Sequence, residues 1–291
     1  MNMLKVWVMA MRPKTLPAAA AVVIAGTGAA LGEGVFRLGP ALAALLVALL
    51  LQIGANLAND VYDFYRGADQ EGRLGPPRVT QSGLLSPKQV FAGMWLVFGL
   101  AGLLGLYLTW QAGWPVLILG VLAILSAIIY TGGPYPLAYH GLGDVFVFIF
   151  FGLVAVCGTY YVQALAVSAQ AWWAAVVMGL LTANILVVNN LRDIETDRKA
   201  GKQTLAVQLG ASGARREYVI CLVLAYGIVT VMAALGIMSA WVLLTWLMLP
   251  QAVRLVRFIS TQEGRPLNQA LAGTGQFELF FGILFALGMA L

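Results

Sequence analysis

The sequence predicts an all-α membrane protein with nine transmembrane helices. Three observations predict it. Of the 291 residues, 61% are hydrophobic and only 10% charged. A soluble domain carries about 25% charge, so lipid must serve as part of this chain's solvent. Second, nine apolar runs approach the ~20 residues that a spanning helix needs. Third, alternating these runs across a membrane sorts the basic residues to one side. Of the 17 Lys and Arg residues, only Arg37 falls on the other side. That bias puts the N-terminus in the cytoplasm and, with nine spans, the C-terminus outside.

The spans are expected at 15–32, 40–62, 89–109, 114–131, 142–165, 171–191, 217–236, 239–258 and 273–290. Lys5, Arg12 and Lys14 precede the first. They resemble the charged start of a secretion signal, but no small-residue cleavage site follows, so the run reads as a retained membrane helix. Gly- and Pro-bearing stretches separate the next spans, as in GEGVFRLGP (32–40) and WQAGWP (110–115). The shortest break, 236–239, is the weakest. The whole reads as one membrane unit over residues 1–291. Cys157 and Cys221 lie in separate apolar runs with no neighbouring Cys or His, and His140 stands alone. These suggest neither zinc nor a disulfide. The net charge of +5 reads as topology, not nucleic-acid binding.

Most acidic residues share the basic side, which the positive-inside rule does not require. They gather in two clusters. One is NLANDVYDFYRGADQEGRLGPPRVTQSG (56–83), at the end of the second span; the other is NNLRDIETDRKAGKQTLAVQLG (189–210), at the end of the sixth. Asn56 precedes Asp60 by four residues, as Asn189 precedes Asp193. Asp63 follows Asp60 by three, and Asp197 follows Asp193 by four. Spacings of three and four share a helix face. The clusters are four spans apart, so both helices run the same way and suggest a weak internal repeat.

Magnesium takes oxygen ligands, commonly one or two carboxylates completed by phosphate oxygens and water. Two carboxylate clusters facing each other could hold it against a diphosphate. Arg66, Arg73 and Arg78 beside the first cluster, and Arg192, Arg198, Lys199 and Lys202 beside the second, could neutralise the remaining charge. The alternative is solvated ion pairs worth under about 1 kcal/mol each. Asn56, Asn59, Asp60 and Asn189 count against that, because polar groups inside helix ends are costly unless they face the bundle interior. The RLGPPRV stretch (73–79) must be non-helical, because Pro76 and Pro77 adjoin. It reads equally well as a lid or as a linker.

These motifs, with RPKTLPAA (12–19) and YTGGPYPLAYHGLGD (130–144), resemble those of the UbiA-type intramembrane prenyltransferases. The similarity is greatest to the branch acting on 1,4-dihydroxy-2-naphthoate and extends from Arg12 to about Gly210. It implies nine helices around a central cavity, with the active site at the cytoplasmic face of a bacterial inner membrane. It also implies Mg²⁺ as cofactor, a polyprenyl diphosphate donor, and an aromatic acid acceptor that loses CO₂ to give a demethylmenaquinol. By resemblance, Asp63, Asp69, Asp193 and Asp197 would hold metal. Asp60, Asp63, Asp193, Asp197 and Tyr130 would be catalytic. Asn59, Arg78, Asp144, Asn189, Asn190 and Lys202 would bind substrate by the same resemblance, and Asn56, Arg66, Arg192 and Arg198 are added as substrate-binding candidates from the polar and basic residues of the two clusters themselves. Asp69 follows Asp63 by six residues, where the general family pattern has four; the naphthoate branch shares the longer spacing. Tyr135, Phe146, Phe148, Phe150, Tyr160 and Tyr161 are further aromatics that could face a carbocation. Prenylation of another aromatic precursor such as homogentisate is the alternative within the family. An ion-coupled transporter is the alternative outside it, although its site would be expected nearer the bilayer midplane.

Overall fold

The computed structural model describes residues 2–67 and 74–291. Among these residues the chain is helical throughout its apolar runs. Helix α1 (Met3–Met11) is followed by α2 (Leu16–Gly32), α3 (Leu38–Tyr65), α4 (Pro87–Ala112) and α5 (Trp114–Ile129). Then come α6 (Gly143–Ala164), α7 (Ala169–Lys199), α8 (Leu205–Ala234), α9 (Ala240–Thr261) and α10 (Leu267–Ala290). Helices α2 to α10 correspond to the nine expected spans. Eight are long and apolar enough to cross a membrane, α1 and α2 counting as one. The remaining helix, α5, has 16 residues, or about 24 Å at 1.5 Å per residue, less than a ~30 Å hydrocarbon core.

The boundaries differ from the sequence reading where polar residues continue a helix. Helix α7 runs on to Lys199 rather than ending near 191, so Asp193 and Asp197 sit on its last turns. Helix α8 begins at Leu205, where the Thr204 side chain accepts from the Val207 N–H, well before the expected start at 217. Its backbone breaks at Gly210 (φ 71°) before the apolar run. Helix α1 lies outside the expected spans. Asn2 caps it, and it ends at Arg12, whose backbone is left-handed (φ 51°) ahead of Pro13. The hairpin between α8 and α9 is tight, with Gly236 at φ 68°.

Helix α2 is central and packs against α3, α6, α7 and α10. Lipid gives no hydrophobic drive for helix pairing, so small residues that allow close approach must supply contact. Gly28 and Gly32, one turn apart on α2, face α10: a Cβ on Gly28 would collide with the Ala286 Cα, and one on Gly32 with the Met289 carbonyl oxygen. Gly152 of α6 and Gly179 of α7 meet in the same way, within a π-helical stretch, Phe148–Val154. Such stretches often mark functional sites, and this one contributes to the cavity described below. Arg37, at the start of α3, donates its backbone N–H to Gln163 and its guanidinium to Gln111. These bonds join the ends of α4 and α6 at the membrane face opposite the acidic clusters.

A Cβ on Gly152 would stand 2.6 Å from the Gly179 Cα and 2.7 Å from the Ala175 carbonyl oxygen. Replacing Gly152 with leucine should therefore cost roughly 1–3 kcal/mol or more. Thermal unfolding in detergent tests this; an unchanged midpoint would show that the α6–α7 contact is not close-packed.

Candidate active site

Helices α2 to α7 enclose a cavity of about 670 Å³. Alanine, valine, leucine, glycine and phenylalanine line most of its length. Its polar side chains concentrate at the end where α3 and α7 terminate: Asn59 and Asp63 of α3, and Asn189, Asn190, Asp193 and Asp197 of α7. The cavity thus has a charged mouth and an apolar body. Both halves follow from the sequence, since each acidic cluster ends an apolar helix.

Asp63 is the focus of the mouth. Its carboxylate is almost fully buried and accepts from three residues on three loops. Arg78 Nη2 lies 2.6 Å away, the Tyr139 hydroxyl 2.9 Å, and Lys202 Nζ 3.3 Å. Lys202 also lies 4.7 Å from the centre of the Tyr139 ring. Its placement depends on the end of α7: Gly201 (φ 73°) takes the left-handed conformation that commonly terminates helices, and the Lys202 N–H returns to the Asp197 carbonyl at 2.8 Å. Tyr139 is aligned by its own carbonyl, which accepts from the Gln203 N–H at 3.0 Å. Burial, then the charge and hydrogen bond of Asp63, push the Tyr139 phenol well above the ordinary tyrosine range. It therefore stays protonated and donating.

Across the mouth, Asn189, Asp193 and Asp197 share one face of α7, as their spacing of four requires. Arg192 is buried. Its guanidinium reaches Asp193 Oδ1 at 2.8 Å, Asn189 Oδ1 at 2.9 Å and Asn268 Oδ1 of α10 at 2.8 Å. Asp197 lines the cavity, and its carboxylate takes no hydrogen bond or ion pair from any described residue. Tyr130, just past the end of α5, sits beneath the mouth. Burial, then the charges of Asp144, Asp197 and Asp63, raise its phenol well above the ordinary range. It offers the cavity a hydroxyl and a ring face.

Several expected site residues point elsewhere. Asp60 does not line the cavity; its carboxylate accepts the backbone N–H groups of Val79 (3.2 Å) and Thr80 (3.2 Å). It thus ties the loop carrying Arg78 to α3. Asn56 joins α3 to the α1–α2 junction through Thr15 Oγ1 (2.9 Å) and the Met11 carbonyl (3.0 Å). The two clusters therefore correspond differently from the comparison of their spacings: Asn59 and Asp63, not Asn56 and Asp60, line the cavity with Asn189 and Asp193. Arg66 donates to the carbonyls of Thr131 (3.2 Å) and Gly133, clamping the loop after α5 rather than facing the cavity. Arg198 is exposed and paired with Glu195 at 2.9 Å. Arg192 acts through Asp193 and Asn189, and Asp144 is buried beside Tyr130 without lining the cavity. Asp69 and Arg73 lie outside the described residues. Residues 74–79 are non-helical and held in place, with the Leu74 carbonyl accepting from Asn268 at 2.9 Å.

Sequence reasoning missed three contributors. Tyr139 lies within the YTGGPYPLAYHGLGD motif but carries no spacing signal. Thr131 donates to Asn59 Oδ1 at 2.9 Å, and Arg12 lines the cavity. Of the aromatics expected to face a carbocation, Tyr130, Phe146, Phe150 and Tyr161 line the cavity. Tyr135 instead stacks on His140 at 3.6 Å, and Tyr160 donates to Glu33.

The donor set fits a divalent cation shared with phosphate. No three described His, Cys, Asp or Glu residues form a ready-made cage. Magnesium usually takes only one or two protein carboxylates and keeps the rest of its shell for phosphate and water. The open carboxylate of Asp197, one turn from Asp193 in the same cavity, supplies that arrangement.

Residues 19–277 match the UbiA prenyltransferase family. The chain belongs to that family. It is a prenyltransferase and an integral membrane protein, which excludes the transporter reading. Among its curated relatives, 1,4-dihydroxy-2-naphthoate octaprenyltransferase from Mycobacterium tuberculosis is 40% identical over 98% of this chain and 96% of its own. The Escherichia coli protein of that name is 39% identical over 98% and 95%. The solved UbiA homolog from Archaeoglobus fulgidus bound to DMAPP and Mg²⁺ has the same fold, with a TM-score of 0.66 at 15% identity, over 95% of this chain and 98% of that one.

Because Asp60 holds the Arg78 loop, Asp60→Ala should release residues 74–86 to limited proteolysis, whereas Asp197→Ala should leave them protected. Equal protection in both variants would remove the positioning role from Asp60.

Proposed function

We propose that the protein transfers a polyprenyl group from its diphosphate to 1,4-dihydroxy-2-naphthoate, releasing diphosphate and CO₂ and forming a demethylmenaquinol. The observation that carries this reading is the division of one cavity into a carboxylate- and cation-bearing mouth and a long apolar body. The names of relatives at about 40% identity support the naphthoate acceptor. We also propose that residues 1–291 act as one catalytic unit whose mouth faces the cytoplasm of a bacterial inner membrane, as the basic-residue bias favours.

In this reading Arg78 and Lys202 receive the diphosphate, with Asp63 keeping both cations at the mouth. Asp193 and Asp197, with Asp63 across the cavity, would hold Mg²⁺. When bound, Mg²⁺ supplies charge neutralisation to the departing diphosphate. The prenyl C–O bond breaks and its electron pair leaves with the phosphate. The electron-rich ring forms the new C–C bond, and the carboxylate departs as CO₂, so atoms and charge balance. The apolar walls keep water from the allylic cation. The faces of Tyr130, Phe146 and Phe150 favour that cation by about 0.5–2 kcal/mol each. Tyr130, protonated and flanked by acids, is suited to orienting the acceptor.

Two outcomes test this. Purified protein should turn over with prenyl diphosphate, Mg²⁺ and dihydroxynaphthoate but not with homogentisate or 4-hydroxybenzoate; the reverse preference would replace the acceptor. EDTA should stop turnover and Mg²⁺ restore it, while Asp193→Asn and Asp197→Asn should each lower kcat by roughly a hundredfold or more. Near-normal rates in either folded variant would remove the metal role from that residue.

A further inference from the structure

The cavity has three glycines in its wall: Gly105 of α4, Gly120 of α5 and Gly158 of α6. Backbone geometry does not explain them, since none has positive φ. Close packing does not explain them either. A Cβ built on any of the three would meet nothing within 4 Å, unlike one on Gly28, Gly152 or Gly179. Glycine is a poor residue for a helix interior, and here its effect is to leave space inside a cavity.

The three also share a level. Gly105 is seven residues before the end of α4, Gly120 six after the start of α5, and Gly158 six before the end of α6. Each is therefore ~10 Å inward from the far membrane face at 1.5 Å per residue. Arg37 ties that end of α3 to the ends of α4 and α6, so the level is held in register. Ala44 of α3 lines the cavity at the same height, six residues after the start of its helix. Along α3, Ala44 lies nineteen residues from Asp63, or ~28 Å of helix. Along α5, Gly120 lies ten residues from Tyr130, or ~15 Å.

We infer that the layer formed by Gly105, Gly120 and Gly158 sets the length of prenyl donor the enzyme accepts, by leaving a passage for the tail of a long prenyl diphosphate toward the far membrane face. The inference rests on the reading that the cavity takes a prenyl diphosphate with its phosphates at the Asp63–Asp197 mouth. The acceptor is not the occupant of this layer. Its ring must meet the prenyl carbon next to the diphosphate, and the layer lies farther from the mouth than two fused rings reach. The cavity lining around the layer also carries no charged side chain to pair with a carboxylate, its polar groups there being the hydroxyls of Thr159 and Tyr161.

The test compares geranyl and octaprenyl diphosphates as donors to dihydroxynaphthoate, in wild type and in Gly120→Leu, Gly158→Leu and Gly102→Leu. Gly102, on α4, has equally open space but does not line the cavity. The octaprenyl-to-geranyl ratio of kcat/KM should fall roughly tenfold or more in Gly120→Leu and Gly158→Leu, and should hold in Gly102→Leu. Gly120→Ala and Gly158→Ala add one methyl group each and should shift the ratio the same way by less, which keeps the test valid if a leucine variant fails to fold. An unmoved ratio in folded variants, or equal losses with both donors, would overturn the inference. No transfer from either donor by wild type would instead overturn the proposed function.

Discussion

A single buried carboxylate, Asp63, organises the mouth of this protein. An ionised side chain so deep at a membrane helix end is tolerated only when it is paired and hydrogen-bonded. Here its partners come from three loops: Arg78 after α3, Tyr139 after α5 and Lys202 after α7. The desolvation cost of Asp63 is thereby offset by bonds that fold those loops over one end of the bundle. Removing one partner of such a pair typically costs about 3–5 kcal/mol, so the loops hold together or loosen together. Two cations are left where a diphosphate would arrive, partly neutralised and in fixed positions. That preorganisation avoids ordering them during the reaction.

The helical frame serves the same arrangement. Gly28 and Gly32 bring α2 against α10, and Gly152 and Gly179 bring α6 against α7. Contacts this close hold four helices at fixed spacing, so the cavity walls built on α2, α6 and α7 keep their places. The wall is apolar until α3 and α7 reach their ends, where polar groups can be hydrated or paired. A carbocation and a diphosphate need opposite surroundings, and a site at a membrane boundary provides both within one cavity.

Much of this was legible in the sequence, for definite reasons. Apolar runs and the one-sided basic residues located the helices, because lipid leaves the backbone little alternative. The placement of Asn189, Asp193 and Asp197 followed from their spacing of four. The same rule could not choose between Asn56–Asp60 and Asn59–Asp63, since both pairs have that spacing. The choice was made by the loop at 74–86, whose Val79 and Thr80 N–H groups claim Asp60. Tyr139 was invisible because its role depends on a contact with Asp63, 76 residues away in sequence. The early start of α8 was hidden because its first segment, LAVQL (205–209), is too short to read as part of a span and is cut off from the apolar run by the break at Gly210. Helix α1 was hidden because its packing on α3 is a tertiary matter.

Hydrogen–deuterium exchange on wild type and Asp63→Asn, both folded in detergent, tests most directly whether one carboxylate holds the three loops. The account predicts that the amides of 74–86, 130–142 and 200–204 lose protection together, while those of α7 and α10 keep theirs. Faster exchange confined to the end of α3, with the three loops unchanged, would contradict it.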